Sequence, residues 1–217
     1  MNRVVQDGLR YVAVNTESGE RGRLLSLVAD WCLEHGVGEL TLRRVGQAIG
    51  TNNRMLLYYF GSKEELIASA LTEVMTRFPD IIGALDRLDD QTRPLAERLD
   101  QVWSALSAEP NIVPMRLFFE VFGRAAHHPG RYDAYLGIVG QEWTARMTKV
   151  IRAEGVPLAA ARLLGREVVA LWRGLQFDVL SSGERSAIAA THAAAARSIA
   201  ARVAAAAIPE DGRPVRS

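Results

Sequence analysis

Apolar residues recur at helical spacing along nearly the whole chain. Between Arg21 and His35 the stripe Leu24, Leu27, Val28 and Trp31 falls at i, i+3, i+4 and i+7, and Gly36 follows as a stop. This predicts an amphipathic helix with one face packed inward. Thr41 is placed to cap a short second helix with Leu42, Val45 and Ile49 inward, which Gly50 breaks after about two turns. Asn52 then caps a third helix that turns Leu56, Tyr59 and Phe60 inward and leaves Asn53, Arg54, Leu57 and Tyr58 outside. Gly61 ends it. Ser62-Lys63-Glu64-Glu65 has the form of a capping box and opens a fourth helix through Leu66, Ile67, Ala70, Leu71 and Val74, with Pro79 marking where it must stop or bend.

Beyond Pro79 the pattern predicts helices near 93–108, 114–127, 131–154, 158–182 and 184–207. Pro110 and Pro114, His128-Pro129-Gly130, Gly155-Val156-Pro157 and Ser181-Ser182-Gly183 separate them. Three long helices joined by short turns imply antiparallel neighbours in a bundle. The last is alanine-rich, which favours a helix and close backbone approach, with low-complexity disorder as the rival reading. Alternating strand-like residues are confined to Tyr11-Val12-Ala13-Val14, too isolated to build a sheet, so the fold class is all-α. The expected division is a loose tail over 1–19, a three-helix unit over 20–66, a larger helical region over 67–208 and a second tail over 209–217.

Composition adds three constraints. The chain of 217 residues is long enough to bury a core without disulfides, and its single cysteine, Cys32, reads as a small buried hydrophobe. That usage, with no signal-peptide-like apolar run in the first twenty residues and no stretch of membrane-spanning length, points to the cytoplasm. Net charge is only +1, yet the window from Leu40 to Lys63 holds Arg43, Arg44, Arg54 and Lys63 and no acidic residue. Such a window is either a solvated basic face or an electrostatic footprint for nucleic acid.

Two short helices meeting at a glycine turn are either a packing hairpin or a helix-turn-helix that presents its second helix to the major groove of DNA. The residue types suit the second reading. Thr41 and Lys63 stand at helix starts, where a hydroxyl, an ammonium and free backbone N–H groups hold phosphate oxygens. Asn53 and Arg54 have the side chains that read adenine and guanine edges in two-pronged fashion. Tyr58 and Tyr59 offer hydroxyls to phosphate, and Leu57 offers an apolar contact such as to a thymine methyl.

The run from Leu40 to Leu66 strongly resembles the N-terminal signature of TetR-family repressors. A Thr-led helix, a glycine turn, an aromatic-Phe ending and Ser-Lys-Glu-x-Leu occur together, and the likeness covers about residues 21–66. It implies that Thr41, Tyr58, Tyr59 and Lys63 hold the DNA backbone, that Arg43, Asn53 and Arg54 read bases, and that Asn52 opens the recognition helix. Family members usually carry Tyr where this chain has Leu57, and Thr or a small residue where it has Met55. This shifts the implied contacts toward Tyr58, and Leu57 is either a DNA contact or buried against the neighbouring helix. The resemblance further implies a homodimer on a palindromic double-stranded DNA operator, repression relieved by a small effector, a larger ligand-binding and dimerisation domain, and a nucleoid-associated cytoplasmic location.

For the effector, Trp103, Met115, Phe118, Phe119, Phe122, Trp143, Trp172 and Phe177, with Met147, are candidates to line an apolar pocket, although residues at such spacing are also plain core. Catalytic constellations are not legible. The histidines are scattered, no Glu-x-x-His occurs, and Glu120, Glu142, Glu167 and Asp178 read as surface or helix-pairing charges. No enzyme activity, cofactor or metal is therefore expected. The remaining alternatives are a helical adaptor that has lost DNA binding and a small-molecule carrier. Residues 158–207, helped by 131–154, are expected to pair with their copies across the dimer.

Overall fold

A computed structural model describes residues 19–128, 130, 132 and 136–207. Every regular element among them is helical. The α-helices are α1 (Glu20–His35), α2 (Leu42–Ala48), α3 (Asn53–Phe60), α4 (Lys63–Thr76), α5 (Pro79–Arg87), α6 (Leu95–Ser107), α7 (Ile112–His127), α8 (Trp143–Ala153), α9 (Leu158–Ser181) and α10 (Arg185–Ala206). A 3-10 turn, Glu109–Asn111, leads into α7, and a π-helical turn, Gly137–Glu142, leads into α8. The tails expected at 1–19 and 209–217 lie outside the described residues, Gly19 apart.

Two departures from the expected helices have local causes. Pro79 does not merely end a helix: α4 stops at Thr76 and Pro79 is the first residue of α5, which the apolar spacing had not suggested. At that position the missing N–H costs nothing and the fixed φ suits a helix start. Within the helix expected over 131–154, Gly137–Glu142 forms a π-helical turn and regular α-helix follows over Trp143–Ala153. Gly137 and Gly140, both poor helix formers, lie in the wider π turn before it.

The chain divides into two compact units. One takes the described residues up to Pro79 together with Ile112–Ile138. Its core is built where α1 buries Leu24, Val28, Ala29, Trp31 and Cys32 against Leu66, Ile67, Ala70, Leu71 and Val74 of α4, and α7 packs on both helices. Just past α4, Arg77 ion-pairs with Asp30 and donates to the carbonyl and hydroxyl of Ser26 at 2.9 and 3.0 Å, which fastens the far end of α4 to α1.

The second unit takes Asp80–Asn111 and the described residues from Val139 onward. Here α8 and α9 form an antiparallel pair across a turn in which Gly155 has φ +87°. At Gly165 the two backbones touch, since a Cβ there would stand 2.9 Å from the Thr148 nitrogen. The alanine-rich segment is a full helix, and α10 buries Ile188, His192, Ala196, Ile199 and Val203 as one stripe against α6 and α9. Among the described residues no helix is long and apolar enough to cross a membrane.

Candidate nucleic-acid interface

The first unit sets α2, a tight turn and α3 in sequence, and each boundary is made by a side chain. Thr41, in extended conformation, accepts the Arg44 N–H on its hydroxyl at 3.2 Å. A hydroxyl used in this way still has its own proton to donate outward. Gly50 turns the chain with φ +74°, and the Thr51 N–H closes the turn on the Gly46 carbonyl at 2.8 Å. Gly46 is buried, and a Cβ there would lie 3.0 Å from the Thr51 carbonyl oxygen and 3.4 Å from the Asn52 Cα. The absence of a side chain at Gly46 is therefore what lets the start of α3 close on α2.

Asn52 caps α3, its Oδ1 accepting the Met55 N–H at 3.0 Å. The helix turns Leu56 and Phe60 into the core, while Asn53 and Arg54 are exposed. Leu57 is 42% exposed and Tyr58 77%, so both side chains reach the outer face of α3. Tyr59 is half-buried and meets Tyr58 edge-on at 5.0 Å. Beyond Gly61 (φ +75°) the expected capping box is present: Glu65 N–H donates to Ser62 Oγ and Ser62 N–H to Glu65 Oε2, both at 3.1 Å. That fixes Lys63 as the first residue of α4.

Not all four basic residues of the window are alike. Arg44 pairs with Glu39, whose carboxyl is held below its usual range by the hydrogen bond from Arg44 and by its charge. Arg43, Arg54 and Lys63 form no ion pair among the described residues, so their charge is available to an outside anion. Arg21, at the start of α1, escaped the sequence reading. Its Nε donates to the Tyr59 carbonyl at 3.3 Å and its guanidinium lies 5.0 Å from the Phe60 ring centre. It thus takes one of the carbonyls that the end of a helix leaves without a partner.

The aromatic candidates fall into two groups, one in each unit. Met115 is buried on α7, where Phe118 meets Phe119 at 5.2 Å and Phe122 at 4.6 Å between ring centres. In the second unit Trp103 stacks on His192 at 5.0 Å, Trp172 donates its indole N–H to His192 Nε2 at 3.0 Å, and Trp143 meets Trp172 edge-on at 6.2 Å. Met147, on α8, is buried. Phe177, on α9, is 59% exposed. No group of three or more His, Cys, Asp or Glu side chains able to hold a metal occurs among the described residues.

Residues 32–70 match the family model described as bacterial regulatory proteins, tetR family. Solved structures share the fold over 88% of this chain. A transcriptional regulator from Rhodococcus sp. Rha1 is 18% identical, is covered over its full length and superposes with a TM-score of 0.62. A putative transcriptional regulator from Rhodococcus sp. RHA1 is 20% identical, with 96% of it covered and a TM-score of 0.58. The multidrug binding protein EbrR, solved with imidazole, is 19% identical, with 91% covered and a TM-score of 0.62. No curated protein matches the sequence.

Proposed function

We propose that this chain, which belongs to the bacterial tetR family of regulatory proteins through its residues 32–70, is a ligand-responsive repressor that binds a palindromic operator as a homodimer in the cytoplasm, at the nucleoid. The observation that carries the reading is the outer face of α3. Asn53, Arg54, Leu57 and Tyr58 are all exposed on one short capped helix, with Thr41 and Lys63 at the starts of the helices on either side. In a major groove Arg54 and Asn53 read base edges, Leu57 meets a thymine methyl, and Thr41, Tyr58, Tyr59 and Lys63 hold phosphate oxygens. Arg43, exposed and unpaired on α2, reaches a base or the adjoining backbone. Asn52 sets the axis along which the reading residues project.

A dimer follows from the geometry of the target, because two recognition helices must enter successive grooves about 34–36 Å apart. The outer face of α9 supports the choice of surface. Leu163 and Phe177 are 73% and 59% exposed there, and Ala190, Ala194, Ser198 and Ala201 leave a small-residue strip on α10. An apolar effector acts through one of the two aromatic groups, that on α7 or that of Trp103, Trp143 and Trp172, by favouring the state that does not bind DNA. The domain roles follow: 20–66 for DNA, 67–208 for ligand and dimer.

Selection of bound sequences from random DNA at two salt concentrations tests the reading. A palindromic consensus is the expected result. Arg54→Ala then relaxes preference at one position and costs about 1–3 kcal/mol, whereas Lys63→Ala weakens every sequence alike and lowers the salt slope by about one. No enriched sequence at either salt would remove the DNA-binding reading and favour a helical adaptor.

A further inference from the structure

Glu120 does not behave as the surface or helix-pairing charge that its place in the sequence suggests. Its carboxylate accepts the N–H of Val37 at 2.8 Å, from a residue 83 positions earlier in the chain. Val37 is fully buried and sits in the link between α1 and α2. The residues around it are shaped to the carboxylate. A Cβ at Gly36 would stand 2.7 Å from Oε2, and one at Gly38 would stand 2.5 Å from Oε1. One turn further along α7, Arg124 donates to the Gly38 carbonyl. Two side chains of α7 thus grip three consecutive residues of the link.

The link leads straight into the DNA-facing helices. The Val37 carbonyl accepts the N–H of Leu40 at 3.2 Å, Leu40 is fully buried, and the next residue is Thr41, the cap of α2. We infer that Glu120 and Arg124 are positioning residues for DNA binding: they hold Gly36-Val37-Gly38, and through it the start of α2, by bonds of α7's own. This rests on the DNA-binding reading above. The same helix carries Met115, Phe118, Phe119 and Phe122, so a molecule that displaces α7 pulls on the start of α2 through the Glu120 carboxylate as well as through packing on α1 and α4.

The experiment is amide hydrogen exchange on the full chain, followed by affinity for DNA selected by the wild type. In Glu120→Ala, exchange at Val37 and across 41–48 rises about tenfold or more while 158–181 is unchanged, because local opening is tied to local contacts. Glu120→Gln, whose amide oxygen accepts the same N–H, stays within about threefold of wild type. Gly38→Ala reproduces Glu120→Ala, and combining the two adds little, as expected of residues that share one contact. On DNA the alanine variants bind about tenfold more weakly with an unchanged salt slope, since no phosphate contact is lost. Wild-type exchange over 41–48 in either Glu120→Ala or Gly38→Ala overturns the inference. So does DNA affinity within about twofold of wild type in a variant whose exchange has risen. If the wild type enriches no sequence, the functional reading falls and the exchange data alone decide whether the grip holds α2.

Discussion

Replacing Gly46 by alanine separates a glycine kept for room from one merely tolerated. In an ordinary helix interior the change stabilises by about 1 kcal/mol, because alanine loses less backbone freedom on folding. Gly123 on α7 offers that case, exposed and with nothing within 4 Å of a new Cβ. At Gly46 the new Cβ meets the Thr51 carbonyl at 3.0 Å and the Asn52 Cα at 3.4 Å, both backbone atoms that no rotamer can withdraw. Overpacking of this kind costs about 1–3 kcal/mol, so the net loss is roughly 1 kcal/mol after the helix gain. For a chain of this size that corresponds to a Tm about 2–4 °C lower, with Gly123→Ala about as much higher. The displaced backbone is the cap of α3, so affinity for selected DNA should also fall, by about tenfold or 1.4 kcal/mol. Thermal melts of both variants and binding to a fixed duplex read the two effects. A Gly46→Ala protein that melts at or above wild type and binds DNA equally would refute the claim that the approach of α3 to α2 depends on this glycine.

Three further outcomes follow from the second unit and from α1. Arg98 is 2% exposed and ion-pairs with Glu154, whose side chain is 28% exposed, so Glu154→Ala strands a buried charge and should cost on the order of 3 kcal/mol in urea unfolding. His192 is held below its ordinary pKa by burial, opposed by Asp100, whose Oδ1 lies 3.0 Å from Nδ1, and the Trp172 N–H needs Nε2 bare. The neutral ring therefore contributes stability above the unfolded pKa of about 6.5 that is lost as pH falls below it, and His192→Gln should flatten Tm against pH in that window. Burial, and then the charge of Glu120, push the Cys32 thiol up to about 12, so a maleimide at pH 7.5 should leave the native protein unlabelled and label it fully in denaturant.

Helix existence was legible because it rests on short-range rules. The caps at Thr41, Asn52 and Ser62 are side-chain-to-backbone bonds spanning three residues, and all three form as their spacing implies. Pro79 shows the limit of the same grammar. A proline that cannot continue α4 is well suited to begin α5, and choosing between the two depends on the short downstream face of Ile81 and Ala84. Leu57 was undecidable from periodicity alone. Its angle on α3 puts it next to buried Leu56, and only the placement of the surrounding helices leaves it 42% exposed.

The site shows the same division between local and distant causes. Exposed Asn53, Arg54 and Tyr58 could be read from one helix's own period, whereas the residues that hold that helix in place could not. Arg21 reaches Tyr59 across 38 positions and Glu120 reaches Val37 across 83, and neither pair shares a motif. Glycine is where the two kinds of signal meet. Gly36, Gly50 and Gly61 were legible as stops, and each does carry a positive φ. Gly38 and Gly46 carry no positive φ, and what they supply is space, one for a carboxylate from α7 and one for the backbone of Thr51. A helix-turn-helix signature therefore fixes what faces outward. The support behind it, a carboxylate and a guanidinium on α7, depends on residues remote in sequence, and those can vary while the signature stays the same.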